Sequence, residues 1–237
     1  MDSRIARIRR KLAKVPYAAM RSHSFGEEKH GFRLEPPLPD AKVAEFEADH
    51  HIELPDSYRG FLTTLGGGGA SPFYGLLPLQ SCRLFTMDPR GEPGRPRGFT
   101  FAGGPPHRSD LFLHIIEAGC TDLVLLGITG PLAGRVITGN ADGFWGPNVS
   151  SATDYLAWYE RWLDHMLDGR DNRDLELTSP ALRAPVDRVL RKHRSQVLAE
   201  APGDRGETGI AGEAGRLAAT APVRVPGHRG SAEELDE

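Results

Sequence analysis

Residues 111–138 read LFLHIIEAGCTDLVLLGITGPLAGRVIT, and this stretch decides the fold. Leu111 to Ile116 and Leu123 to Leu126 are apolar runs of strand length, and Gly134 to Thr138 is a third. The turn Glu117-Ala118-Gly119-Cys120-Thr121-Asp122 separates the first two, and Gly139-Asn140-Ala141-Asp142-Gly143 supplies strong turn chemistry after the third. Parallel neighbours would need a crossover of about a dozen residues or more, usually a helix, and these links are shorter. The spacing predicts antiparallel hairpins. Helical stripes on both sides then predict an α+β architecture, a mainly antiparallel sheet packed against helices.

Downstream, Ser151-x-x-Asp154 resembles a capping box with Asp in place of Glu or Gln. Tyr155, Trp158, Tyr159, Trp162, Leu163 and Met166 follow at helical spacing. Glu160, Arg161, Asp164 and Asp168 fall between the rings, so the stripe reads as a face that covers the sheet. An exposed aromatic platform for a ligand or nucleic acid is the other reading. Upstream, Pro36, Pro37 and Pro39 lead to Asp40, which caps a helix through His50, with Val43, Phe46 and His50 on one face. Leu54-Pro55-Asp56 opens a second helix, because proline suits a first turn whose N–H has no partner. Its stripe is Tyr58, Phe61, Leu62 and Leu65, and Gly66 is expected to end it as a left-handed cap. Tyr58, Phe61, Trp158 and Trp162 are expected to be core.

Gly66 to Gly69 do not read as a phosphate loop. Such a loop precedes a helix and carries Gly-Lys-Ser/Thr, whereas this run follows one and leads into Ala70-Ser71-Pro72. Phe73 to Leu79 reads as a strand entering a turn, and Asp88 to Arg108, rich in Pro, Gly and Arg, as a long irregular loop.

At the other end, Ile5, Ile8, Leu12 and Val15 recur at helical spacing among Arg4, Arg7, Arg9, Arg10, Lys11 and Lys14, and Pro16 stops the run. This basic amphipathic helix reads as docked on the domain; a membrane-surface helix or a targeting presequence are the alternatives. Beyond Gly169 the character changes. Pro185 to Ala199 reads as an isolated helix, and Glu200 to Glu237 holds too few large apolar residues to offset the entropy of ordering. The expected organisation is a basic N-terminal helix over residues 1–24, a domain over 25–170, a linker and isolated helix over 171–199, and a disordered tail over 200–237.

Charge is uneven along the 237 residues. Residues 36–170 hold ten Lys/Arg against sixteen Asp/Glu, a balance of -6. An acidic middle favours basic partners and disfavours nucleic acid, whose phosphates need a Lys/Arg surface. Cys82 and Cys120 are the only cysteines, and neither an apolar leader nor an 18-residue apolar run is present, so a cytoplasmic location with reduced thiols and no membrane partner is expected. HExxH, CxxC, EF-hand, GxSxG, GxGxxG and Walker patterns are absent. His50 and His51 are adjacent and point apart, and His107 and His114 have no neighbouring ligand types. Cys120, in a turn after Gly119, is the one nucleophile worth naming, but no flanking motif supplies its base. No catalytic residue, metal or cofactor is expected.

The run Leu54-Pro55-Asp56-Ser57-Tyr58-Arg59-Gly60-Phe61-Leu62, then Gly66 to Gly69 and Tyr74-Gly75-Leu76-Leu77-Pro78-Leu79, resembles the SUKH superfamily, which includes the fungal cell-wall-assembly regulators of the Smi/Knr type and many bacterial relatives. Gly119-Cys120, the Leu123 to Gly127 strand, Gly134 opening a strand, and Trp158-Tyr159-Glu160-Arg161-Trp162-Leu163-Asp164 continue the likeness, as does the lead-in Gly31-Phe32-Arg33-Leu34. It covers about residues 25 to 168. One departure is the strand Gly134-Arg135-Val136-Ile137, where many members carry a tryptophan after the valine. The resemblance implies an α+β fold and a protein-binding role: many bacterial members are thought to be immunity proteins that bind and block a toxin.

The function expected from resemblance and charge together is therefore a non-catalytic immunity-type protein that occludes a toxin, with a basic nuclease-type toxin suited to the acidic segment. The alternatives are a regulatory scaffold and an unrecognised Cys120-dependent enzyme. Glu45, Glu47 and Asp49, read as exposed acids on the first helix of the matched region, are the candidate partner-binding residues.

Overall fold

The computed structural model describes residues 3–21, 23–87, 98–101, 111–144 and 146–170. The linker and isolated helix expected over 171–199 and the tail over 200–237 lie outside the described residues.

The three apolar runs form β3 (Leu111–Glu117), β4 (Asp122–Gly127) and β5 (Val136–Asn140), all antiparallel. With β1 (Arg83–Met87), β2 (Phe99–Phe101) and β6 (Asn148–Val149) they make one sheet in the order β2-β1-β3-β4-β5-β6. The sheet is buried on both faces, which explains why its central runs are continuously apolar rather than alternating. Phe112, Leu123, Leu125 and Ile137 pack together on one side, while Leu111, Leu113, Val124, Leu126 and Val136 join the helices on the other. A register shift between His114 and Ile116 puts both Ile115 and Ile116 into the helix-side core.

The sheet also curls. The Phe99 N–H of β2 donates to the carbonyl of Ala141, just past β5 near the opposite margin, at 3.2 Å. The Phe99 ring lies on Gly139, where a Cβ would come within 2.6 Å of it. That close approach is what glycine provides there.

Four helices, α1 (Ser3–Lys14), α2 (Asp40–His50), α3 (Asp56–Thr64) and α4 (Tyr155–Leu167), complete the described fold. The four core aromatics expected from the sequence are buried: Tyr58, Phe61 and Trp162 are fully enclosed and Trp158 is 1% exposed. Phe61 meets Tyr155 edge-on at 5.2 Å and Tyr159 at 4.7 Å, locking α3 to α4. The docked alternative for the N-terminal helix is the one observed. Ile5, Ile8, Leu12 and Val15 enter the same core, and the basic flank of α1 meets the acids of α4. Arg4 pairs with Asp154 at 2.6 Å, Arg7 and Lys11 both reach Glu160 at 2.9 Å, and Lys11 also reaches Asp164 at 2.6 Å.

Several local expectations are corrected. Asp154, rather than Ser151, caps α4: its side chain accepts from the Ala157 N–H, and the Ser151 hydroxyl takes Arg161 instead. Asp40 lies inside the first turn of α2 after Pro39 and makes no capping bond. Gly66 is not a left-handed cap, since among the four tract glycines only Gly69 has positive φ. The tract is glycine because it runs against residues 33–38: Cβ atoms at Gly66 and Gly67 would meet Glu35 O at 2.6 Å and the Leu38 side chain at 2.7 Å. Phe73 to Leu79 is not a strand, because Phe73 at φ +57° and Gly75 at φ +107° break the extended chain, leaving a single bridging residue, Leu76. Part of the expected loop over 88–108 is instead strand β2, held by pairing to β1, which the sequence reading also missed.

Candidate functional site

Three single-residue antiparallel bridges, Leu34 to Gly69, Gly69 to Leu76 and Leu76 to Ile116, join four short segments into a small ladder beside the main sheet. The second half of β3 feeds it: the Leu77 N–H donates to Ile115 O at 2.9 Å and the Glu117 N–H to Gly75 O at 3.1 Å. At the far margin the Ala70 N–H donates to Arg33 O at 2.8 Å and the Glu35 N–H to Gly68 O at 2.9 Å. Arg33, Ala70, Gly75 and Glu117 therefore form one row across the ladder, with the charged residues at its two ends.

A groove of about 900 Å³ opens here, lined among others by Lys29, His30, Arg33, Glu35, Tyr74 and Glu117. Two side chains lie across glycines. A Cβ on Gly68 would come within 2.7 Å of the Glu35 carboxylate, and one on Gly75 within 3.1 Å of the His30 ring. Tyr74 meets Phe25 in a tilted ring contact at 4.9 Å, and Phe25 remains 60% exposed, which leaves an aromatic pair at the rim.

The wall carrying His30 is fixed by its neighbours. His30 Nδ1 accepts from the Phe32 N–H at 3.0 Å, so the neutral ring carries its proton on Nε2. Burial holds its pKa below the ordinary histidine value, against the opposing pull of the Phe73 and Ser71 carbonyls and of Glu27 and Glu28. Phe32 itself sits at φ +58°, stacks on Trp162 at 6.2 Å and carries the Arg21 guanidinium 4.9 Å above its ring. Among the described residues, the non-glycine positions with left-handed backbone are Phe32, His51, Phe73 and Cys120. Phe32 and Phe73 belong to the walls of this groove or the segments next to them, and Cys120 to the turn after Glu117. Such strain persists only where the surroundings over-determine it, and it concentrates at functional sites.

Glu28, Lys29, Arg33 and Glu35 are exposed and form no ion pair among the described residues. The Glu117 carboxylate accepts only the Gly119 N–H at 3.1 Å among its described contacts. Along α1 and α4, by contrast, acids and bases pair with one another.

The sequence-derived site residues fall elsewhere. Glu45 is exposed on α2 and pairs with Lys42 at 2.7 Å, and Asp49, four residues on, is exposed too. Glu47 is not an exposed acid: its side chain is 16% exposed, accepts from the Leu54 N–H at 2.8 Å and pairs with Arg59. It joins α2 to α3. Cys120 is exposed and lies outside the groove lining, and Cys82 is buried, its thiol pushed up to about 12 by burial, with the Tyr58 hydroxyl opposing. His50 stacks on Phe46 at 4.1 Å, His114 meets Phe85 edge-on at 5.9 Å, and His107 lies outside the described residues. Among the described residues no group of three or more His, Cys, Asp or Glu is placed to hold a metal ion, and no helix is long and apolar enough to cross a membrane.

The groove was missed because it draws on four separate stretches of chain. The signal that could have found it is the density of glycines at 66–69 and 75, each needed where another segment passes closely. Comparison with protein-family models, curated proteins and solved structures gives no match for this chain.

Proposed function

We propose that this chain is a non-catalytic, cytoplasmic protein-binding domain of the SUKH type that neutralises a toxin by covering its active site. The observation that carries the reading is the fate of the aromatic side chains. Tyr58, Phe61, Tyr155, Trp158, Tyr159 and Trp162 are all consumed by packing between helices and sheet, which leaves recognition to the surface. The sequence resemblance supplies the class of partner, and a shared fold alone would not. The charge balance of -6 over residues 36–170 suits a basic, nuclease-type toxin, which long-range attraction would steer and whose phosphate-binding surface the acids would occupy. The proposal assigns no catalytic residue and no cofactor.

The test is affinity capture from native lysate with the full chain, together with inspection of the neighbouring genes. A captured toxin domain, encoded beside this protein and inhibited by it, is the expected result. Recovery of housekeeping proteins alone, with no toxin encoded nearby, would overturn the reading.

A further inference from the structure

Resting on that protein-binding reading, we propose that the groove between Arg33 and Glu117 takes an extended segment of the partner bearing an acidic and a basic side chain on successive residues. The backbones of these two residues stand at opposite ends of one ladder row, three strand spacings or roughly 14 Å apart. Between them the groove is lined by Gly69 and Gly75 and by the apolar Leu34, Leu76 and Leu77, while Ala70 is buried in the core beneath. Extended chain fits such a trough, because successive side chains of a strand point to opposite sides and reach opposite walls. An acidic residue then meets Arg33, with Lys29 nearby in sequence, and its neighbour's cation meets Glu117.

Three features favour a protein segment over a small ligand. The walls offer charges of both signs that no described residue neutralises, which suits a partner with both signs. The rim carries the Phe25–Tyr74 pair, and aromatic side chains with arginine dominate the energetics of protein interfaces. The walls are held by His30, Phe32 and Trp162 before anything binds, so little ordering cost falls on this side of the contact.

The experiment pans a random dodecapeptide display library against the full chain and measures the enriched peptides on Arg33→Glu, Glu117→Arg and the double exchange. The expected result is enrichment of peptides with adjacent acidic and basic residues near an apolar one, with binding weakened roughly tenfold by each single reversal. The double exchange, which again sets opposite charges at the two ends, should bind peptides with the pair in reversed order. Its near-normal melting would separate lost contact from lost fold. Enriched peptides that lack the pair, that ignore the substitutions, or an absence of enrichment would overturn the assignment. A toxin captured by the full chain and bound equally by both single variants would sink the groove assignment while leaving the protein-binding reading intact.

Discussion

The Tyr159 hydroxyl donates a 2.6 Å hydrogen bond to the carbonyl of Ala70, a residue 89 positions earlier. This buried bond ties the middle of α4 to the ladder row that ends in Arg33 and Glu117. The aromatic core and the groove are thereby one mechanical unit. Tyr159→Phe keeps the ring packing and strands the carbonyl, so stability should fall by about 1–3 kcal/mol. Urea unfolding measures it, and an unchanged midpoint would show that the bond carries nothing.

Glu160 is held at a pKa of about 2 against an ordinary 4.5, chiefly by the Arg7 hydrogen bond, with Lys11 adding to it and burial opposing. A depressed carboxylate stabilises the fold above its unfolded pKa and loses that contribution as pH falls toward the folded value. Stability should therefore drop between about pH 4.5 and 2. Glu160→Gln should flatten that part of the profile and cost on the order of 1 kcal/mol at pH 7, since the pair is only partly shielded. Identical acid profiles for the two proteins would refute the pairing.

His30 works in the pH range above that. Burial lowers its pKa below the unfolded value, so the unfolded chain binds more protons and stability is lost as pH falls below about 6.5. His114, also lowered by burial, adds a loss of the same sign. Protonation at His30 Nδ1 would also remove the acceptor for the Phe32 N–H. Unfolding free energies at pH 7.5 and 5.5 should differ less in His30→Gln than in the wild type, and equal differences would count against this role.

Gly69 has φ +92°, and a Cβ there would lie 2.4 Å from Arg33 O. Gly69→Ala meets both a strained backbone and a clash with the ladder, and should cost about 2 kcal/mol or more. Gly60 is the control: a Cβ there would meet nothing within 4 Å, and its φ is not positive. Gly60→Ala lies in the interior of α3 and should stabilise slightly. Thermal melts that rank the two variants the other way would contradict the assignment.

The two thiols should differ sharply in reactivity. Cys120 is exposed, whereas Cys82 is buried with its pKa pushed up to about 12. Alkylation of the folded chain at neutral pH should modify Cys120 alone, as mass spectrometry of the peptides would show. Rapid labelling of Cys82 without unfolding would mean its surroundings open more readily than its burial implies.

Much of this architecture was legible in the sequence because period and burial agree. The stripes Tyr58-Phe61-Leu62 and Tyr155-Trp158-Tyr159-Trp162 are apolar enough to be core, and they pack with the apolar strands lying between them in sequence. What escaped was structure fixed by contacts distant in sequence. β2 holds three residues in a Pro- and Gly-rich stretch and exists through pairing with β1. Glu47 looked like one surface acid among three, and only the approach of Arg59 and the Leu54 amide makes it structural. The groove was the least visible feature, since single-residue bridges leave no periodic trace.

The pairing of α1 with α4 bears on how the chain is synthesised. Arg4 and Asp154 are 150 positions apart, so a growing polypeptide presents Ile5, Ile8 and Leu12 long before the surface that shelters them has been translated. At about 5–20 residues per second that interval is roughly 8–30 s. During it the leading helix is sticky and cationic on a ribosome coated with phosphate, and its capture by α4 must close the largest loop in the fold. Assembly of this domain is thus expected to finish with the element of it that is made first.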